Sequence, residues 1–593
     1  MPGFFIVYNE KFWLRLFINV SCLIWTICGY FAKIVVQTKV FDIFTVSKEI
    51  KVKAMDINTS MWTYFLKGNE GEDRVKLVYL DRYIFMSEFK ETVLRVATYL
   101  QSQGIKKGDV VGIMLPNTPE AVFSFYAINS IGAIASIIDP RLGEVAVWRL
   151  LNSAKHKLIL VTDMAYRNNT GIFDNLKIKV ILCNVFTYAK FPYSLLSRAR
   201  VPGFTYFKDM LTCEPALYKG VDDGDAPAVY MHSGGTTGVS KTAVITSKAF
   251  NHVSEGVLKA IHPDNKINRI SDKMLIMLPV FHAFGLGVAI HGILPHINGV
   301  LMPKFNAISA LRLMGKYKIT HIAGIPYMYR KLDKSRFFNK RNVSSVKYAF
   351  CGGDRMPNPL KQSINKKFEK AGSKAQILEG YGLTETSSVV TVNREGNDNL
   401  YTQGLPLDGT EVKIFMHNKP FEEVPVGEIG EIYVASPSLM IGYLNEGKEG
   451  PDRVIFKDAE GKEWLKTGDL GRVDEDGLLY FVERISRTMK IASNLVCPSE
   501  VEEVVTAMDE VNTCCAVRVN TIDSAHLKLY VQLHNRQHAT EEMVKMIQDV
   551  VEKSISKYAV PREIEFVTRI ERTALGKPNY RKYEYNEFNP KFM

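Results

Sequence analysis

Residues 229–247 read VYMHSGGTTGVSKTAVITS, and this stretch decides how the rest of the chain is read. Three glycines, Ser233, Thr236, Thr237 and Lys241 fall within nine positions, between a run ending at Tyr230 and another beginning at Ala243. Glycine carries a backbone-entropy cost, so a cluster of it requires a compensating role. Two apolar strands joined by such a loop admit two readings. One is an ordinary Gly/Ser hairpin. The other is an anion nest, in which backbone N–H groups and hydroxyls face phosphate oxygens and Lys241 adds a mobile cation. The Walker template GxxxxGK[ST] does not fit, because Ser240-Lys241 stands where Gly-Lys is required.

Outward from this loop the chain alternates. Val110 to Leu115, Leu158 to Val161 and Val180 to Leu182 are short, unbroken apolar runs, as buried parallel strands are. Glu88 to Gln103 and Glu120 to Ile131 carry helical spacing between them, which predicts α/β layering. Further strands are expected at Lys273 to Leu278 and Lys347 to Phe350. From about Thr410 the texture changes. Glu411 to Phe415 and Gly430 to Val434 alternate between Gly and Pro boundaries, which predicts antiparallel strands. Strands at Thr513 to Val519 and Lys528 to Leu533 and a helix from Thr540 to Tyr558 close the chain.

At 593 residues the chain exceeds one hydrophobic core, so several domains are expected. The net charge of +12 suits anionic partners such as nucleotides, CoA or acidic lipid. Lys and Arg are spread along the chain and no nucleic-acid motif occurs, so no nucleic acid is expected. Eight cysteines contain no CxxC pair and the histidines no HExxH, which argues against a disulfide framework or a zinc site and points to a reducing, cytoplasmic compartment. Leu16 to Ala32 is free of charge and sits at the short limit for a spanning helix. Lys11 and Arg15 precede it and Lys33 follows it. A membrane anchor or in-plane helix within residues 12–36 is therefore expected, with a buried capping helix as the alternative.

The loop resembles the phosphate-binding signature of the adenylate-forming superfamily of acyl-CoA synthetases, luciferases and non-ribosomal adenylation domains. Its GGTTG spelling is most similar to the fatty-acyl members. Further segments match in the family's order. Pro279 to Gly285 (PVFHAFG), Gly324 to Tyr329 and Cys351-Gly-Gly-Asp354 resemble its acid-pocket segments. Glu379 to Glu385 (EGYGLTE), Trp464 to Asp469 (WLKTGD), Glu483-Arg484 and Arg572 to Lys577 (RTALGK) resemble its later motifs. The resemblance covers roughly residues 60–593 and implies a fold of the α/β class. It has a large N-terminal adenylation domain (56–483) of layered α/β subdomains with a β-barrel-like part. A small mobile α+β C-terminal domain (484–593) follows, and an N-terminal hydrophobic segment (1–55) precedes it.

The resemblance also implies roles. Ser233, Gly234, Gly235, Thr236, Thr237, Gly238 and Lys241 hold the β- and γ-phosphates of ATP, Thr384 contacts the α-phosphate and Glu385 holds Mg²⁺. Tyr381 stacks on adenine, Glu379, Gly380 and Gly353 belong to the cofactor-binding set, and Asp469 and Arg484 hold the ribose. Lys577 bridges the acid and the α-phosphate, whereas Lys490 and His282 serve the thiol step. Two anions must meet in this chemistry, so positive and hydrogen-donating groups are the residue types it needs. The implied activity is AMP-forming ligation of a carboxylic acid to CoA, a medium- or long-chain fatty acid first, because the pocket segments are apolar or small. Loading of a carrier-protein phosphopantetheine and a non-catalytic acyl-binding homologue are the alternatives. Ser486 and Ser493 stand where the family has a charged hinge residue and a glycine, and both bear on the thiol step.

Overall fold

The computed structural model describes residues 50–51, 54–71, 73–198, 200, 202–232, 241–262, 264, 266–397, 399, 401–417, 419–446, 453–491, 494–520, 525–573 and 578–586. Ser233 to Ser240, Ser493, Lys577 and the apolar stretch Leu16 to Ala32 lie outside them. Among the described residues no helix is long and apolar enough to cross a membrane.

Two large sheets build the N-terminal part. The first runs in the order Gly442–Tyr443, Thr242–Thr246, Pro227–His232, Ile134–Ile137, Val110–Met114, Leu158–Thr162, Lys179–Cys183 and Thr205–Tyr206. From Pro227–His232 onward its strands are parallel. Val110–Met114 and Leu158–Thr162 are buried at every position, which is why they read as unbroken apolar runs. The second sheet is centred on parallel strands at Val75–Tyr79, Asn298–Leu301, Lys273–Ile276, His321–Gly324, Tyr348–Cys351 and Ile377–Tyr381, with antiparallel strands at both edges. Helix Pro119–Ser130 is capped by the Thr118 hydroxyl and buried at all of its positions. Tyr126 and Phe125 on it pack against His291, and Phe125 also meets Phe250 of helix Ser247–Ile261. One continuous core, from Met61 to Leu479, results.

The change of texture at Thr410 is real. Glu411–Phe415, Gly430–Ala435, Glu463–Val473 and Ile455–Lys457 form an antiparallel sheet, to which Leu479–Arg484 adds. This sheet occupies the place of the expected barrel-like part. After Arg484 a separate core forms from Val501, Val505, Leu527, Leu529, Val531, Ile547 and Val551. There helices Pro498–Thr506 and Glu541–Ser554 accompany a sheet ordered Glu563–Phe566, Ala525–Leu533, Val511–Asn520 and Tyr585–Asn586. Helix Glu541–Ser554 ends four residues short of the expected Tyr558. A π-helix at Phe284–Gly292 went unanticipated, because an all-apolar run carries no periodicity that separates it from an α-helix.

The two cores meet through polar contacts. Arg355 forms an ion pair with Glu503, and Asn358 Nδ2 donates to Glu503 Oε1 at 3.0 Å. Arg330 Nη1 donates to the Asn512 carbonyl at 2.7 Å, and Lys334 Nζ to Asn512 Oδ1 at 2.9 Å. Arg487 joins the junction: its guanidinium reaches Glu483 Oε1 (3.4 Å) and Glu502 Oε1 (3.0 Å) and lies 3.9 Å from the Tyr580 ring centre.

Candidate active site

The quoted stretch forms a hairpin. Pro227–His232 and Thr242–Thr246 pair antiparallel, with Thr242 opposite His232. The His232 ring fixes the mouth of the loop. Its Nδ1 lies 2.9 Å from Thr242 Oγ1 and its Nε2 3.2 Å from Ser136 Oγ. Burial pushes this histidine down to about 3, so it is a neutral brace. Lys241 leaves the loop into a cavity of about 2370 Å³ that is shared by both sheets, the antiparallel sheet and the C-terminal part.

Lys241 does not act alone. Its Nζ lies 4.9 Å from the centre of the Tyr443 ring, and the Tyr443 hydroxyl donates to Glu385 Oε1 at 2.8 Å. Tyr443 sits on the short strand Gly442–Tyr443, which pairs with Ala243 and Val244 immediately after the loop. The loop cation and the Glu385 carboxylate are thus tied together by one tyrosine that sequence reading missed. A strand of two residues has no pattern to find.

Glu385 and Thr384 lie on a tight turn, Thr384–Thr386, after strand Ile377–Tyr381. The glycine before them is required by packing. A Cβ on Gly382 would stand 1.8 Å from the Ser388 carbonyl oxygen, and Ser387 takes φ 61° to complete the turn. Both Thr384 and Glu385 line the cavity. Among the described residues no group of three or more His, Cys, Asp or Glu side chains could hold a metal. One carboxylate beside bound phosphates nevertheless fits Mg²⁺, which keeps its waters and uses few protein ligands.

On the other side of the cavity, Thr467-Gly-Asp469 bulges from its strand. Glu431 pairs with Leu470 and Tyr433 with Lys466, so the ladder skips the residues between them. Gly468 adopts φ +71° there. Asp469 is 1% exposed and already accepts three hydrogen bonds. Tyr381 Oη donates to its Oδ2 at 2.8 Å, Arg484 Nε to its Oδ1 at 2.8 Å and Arg484 Nη2 to its Oδ2 at 3.3 Å. Burial opposes the charge of Arg484, but Asp469 overrides it and holds the guanidinium proton above its ordinary value. The Tyr381 ring stacks on Phe481 at 6.0 Å and 28°. Glu379 has a different surrounding. Its Oε1 receives buried Lys361 at 3.0 Å, and burial raises its carboxyl while Lys361 opposes that. This pair braces the strand from within.

His282, Ala283, Phe284 and Gly285 line the cavity next to Gly352, Gly353 and Gly380. Gly285 permits this approach, since a Cβ there would lie 2.0 Å from the Pro279 carbonyl oxygen. The same cavity is also lined by the apolar Val257, Ile261, Met277, Val288, Leu378 and Val389. Lys490 lies on strand Met489–Ile491, paired with Leu495. Lys577 lies outside the described residues, but Thr573 and Pro578 on either side of that gap line the cavity, and Arg572 pairs with Pro578.

Comparison with known proteins accords with this geometry. The family model described as AMP-binding enzyme matches residues 66–444, and that of the AMP-binding enzyme C-terminal domain matches 500–577. The chain is 27% identical over 529 residues to a long-chain-fatty-acid–CoA ligase of Bacillus subtilis (strain 168), covering 85% of this chain and 90% of the relative. It is 27% identical over 495 residues to 4-coumarate–CoA ligase 2 of Nicotiana tabacum, covering 82% and 85%. The fold superposes on the anthranilate CoA ligase AuaEII in complex with anthranoyl-AMP with a TM-score of 0.76 at 22% identity, covering 88% of this chain and 96% of that one. ATP-bound MatB from Rhodopseudomonas palustris gives a TM-score of 0.76 at 21% identity, with 88% and 97% covered. The chain belongs to the AMP-binding enzyme family, as an AMP-forming acid–thiol ligase.

Proposed function

We propose that the enzyme activates a medium- or long-chain fatty acid with ATP and transfers the acyl group to CoA. The observation that carries this reading is a single cavity lined both by charged clusters and by apolar side chains. The Lys241–Tyr443–Glu385 and Asp469–Arg484–Tyr381 clusters border it, as do Val257, Ile261, Met277 and Val288. Apolar lining accepts an alkyl chain by burial, at about 25 cal/mol per Å².

In this reading the loop residues Ser233 to Gly238 and Lys241 bind the triphosphate tail. Asp469, already oriented by Tyr381 and Arg484, accepts hydrogen bonds from the ribose hydroxyls, and Thr384 donates to the α-phosphate. Glu385 would hold Mg²⁺, which when bound neutralises phosphate charge. The substrate carboxylate oxygen forms a bond to the α-phosphorus, the α–β phosphoanhydride bond breaks and pyrophosphate leaves. Lys577 draws the two anions together during that step. The CoA sulfur, its proton lost, then attacks the acyl carbon. The bond to AMP breaks and AMP departs with the shared oxygen. His282 borders the path of the thiol, and Lys490 serves this second step after the 484–593 domain turns about the 483/484 hinge.

A second reading, an aryl acid, draws on the similarity to 4-coumarate–CoA ligases. A screen of CoA-dependent AMP release over acids from acetate to oleate, with benzoates and cinnamates, separates the two. Maximal kcat/KM for a C8–C18 alkyl acid supports the fatty-acid reading, and a maximum at an aryl acid replaces it.

A further inference from the structure

The segment 307–347 carries ten Lys or Arg and one Asp, so much of the chain's excess positive charge resides in 41 residues. In the sequence these cations look dispersed. The fold gathers them. Helices Ala307–Tyr317, Pro326–Asp333 and Lys340–Val343 pack on one another. A Cβ on Gly315 would touch Asn342, which shows how closely the first and third approach. The face that results exposes Arg312, Lys318, Arg336, Lys340 and Arg341.

None of these five forms an ion pair with a described residue. The one acid of the segment, Asp333, is taken by Lys367 and by Ser363, whose hydroxyl donates to it at 2.8 Å. Arg312 and Arg336 are held against a single ring, their guanidinium carbons 4.9 Å and 5.3 Å from the centre of Phe337. Two like charges on one ring repel unless an external anion is close. The neighbouring helix Asn358–Lys370 adds exposed Lys366 and Lys370.

The position of this face matters as much as its charge. Lys318 and Lys347 lead into strands His321–Gly324 and Tyr348–Cys351, at the amino ends of the second sheet. The active-site residues lie at the carboxyl ends of the same strands, so the basic face and the catalytic cleft occupy opposite ends. The polypeptide also enters the described fold at the basic end. Ile50–Lys51 pairs with Lys266–Ile267, Asn268 N donates to Asp272 at 2.9 Å, and Asp272 pairs with Lys347 at 3.1 Å. Some eighteen residues before Ile50, the sequence carries the uncharged stretch Leu16 to Ala32.

We propose that this basic face is a docking surface for an anionic lipid bilayer, which leaves the catalytic cleft on the far side open to nucleotide and CoA. Lys and Arg near an anionic leaflet each contribute to binding in a salt-sensitive way. The uncharged stretch that precedes Ile50 in the sequence accords with lipid as the polyanion. The proposal does not depend on the identity of the acid substrate.

The test is co-sedimentation of the full chain with sucrose-loaded vesicles of phosphatidylserine and phosphatidylcholine, against vesicles of phosphatidylcholine alone. The parent chain partitions more strongly onto the anionic vesicles, and added salt erases the preference. The variant R312Q/R336Q/K340Q/R341Q loses on the order of a hundredfold in partition onto the anionic vesicles. It keeps its binding to the neutral vesicles and its ATP–pyrophosphate exchange. The apolar stretch is present in both proteins, so it contributes equally to both. If exchange is lost, the milder K318Q/K340Q variant replaces it, with a several-fold loss expected. Equal partition of parent and variant, or a parent that binds RNA or an acidic protein but shows no phosphatidylserine preference, overturns the proposal.

Discussion

Removing one hydroxyl, in Tyr443→Phe, should change how the enzyme uses magnesium. Tyr443 is 8% exposed, and its Oη donates to Glu385 Oε1 at 2.8 Å while its ring faces Lys241. A hydrogen bond to a charged group contributes about 1.5–3 kcal/mol, which is about 10- to 150-fold in an equilibrium constant. Phenylalanine keeps the ring beneath Lys241 and therefore the cation–π contact. The loss is confined to the orientation of the Glu385 carboxylate. Initial rates of ATP–pyrophosphate exchange, measured against free Mg²⁺ at saturating ATP and acid, should show the half-saturating Mg²⁺ rising by about 10-fold or more. The plateau should fall far less. Titration with Mn²⁺ followed by electron paramagnetic resonance should report the same weakening without turnover. An unchanged metal dependence with a lower plateau would mean that Tyr443 only packs, and the coupling of Lys241 to Glu385 would be refuted.

Other expectations are as definite. Lys577→Ala should lower adenylate formation by ~10²–10³ and leave thioester formation from supplied acyl-adenylate largely intact, and Lys490→Ala should do the reverse; equal loss of both steps in both variants contradicts a two-conformation cycle. Asp469→Asn should raise the KM for ATP at least tenfold, since a buried carboxylate that receives Arg484 and Tyr381 is replaced by an amide; an unaltered KM removes Asp469 from the nucleotide site. Arg355→Ala should slow adenylation several-fold while sparing the thiol step, because it opens the contact with Glu503; parallel losses in both steps would exclude a conformational role. Glu120 is 1% exposed, and burial pushes it up to about 7 against the weaker opposing effect of its own backbone, Thr187 and Thr118. The folded state therefore binds this proton more tightly than the unfolded chain, and its contribution is present below about 4.5 and lost as pH rises towards 7. Glu120→Gln should flatten that pH dependence and stabilise the protein above pH 7 by about 3 kcal/mol, as urea midpoints at several pH values would show; an unchanged slope contradicts the assignment.

What the sequence revealed follows from which forces leave a periodic trace. Buried parallel strands such as Val110–Met114 announce themselves because both faces exclude polar residues. Helix Pro119–Ser130 was read from helical spacing over Glu120 to Ile131, yet its burial on every side is a tertiary fact that such spacing does not give. The motif glycines were legible as motifs, whereas their causes were not. Gly382 and Gly285 are required by neighbouring carbonyl oxygens that approach only in the fold. Tyr443 and Phe481 line the cavity from far along the chain, well past the loop, and neither stands in a conspicuous pattern. Glu379 shows the converse. Its place in the EGYGLTE motif suggests a ligand contact, while the structure gives its carboxylate to Lys361, whose burial could not be read from a Lys-rich helix. The basic face was hidden for the same reason, since cations spaced along 41 residues converge only when three helices pack.

The most direct test of the account follows one oxygen atom. With a fatty acid labelled with ¹⁸O at both carboxyl oxygens, and with ATP and CoA unlabelled, the mixed anhydride requires that one labelled oxygen leave with the nucleotide. Mass spectrometry of the product should find AMP carrying a single ¹⁸O, in equal amount to the acyl-CoA and to unlabelled pyrophosphate. Unlabelled AMP, or ADP and phosphate in its place, would contradict direct attack of the acid on the α-phosphate.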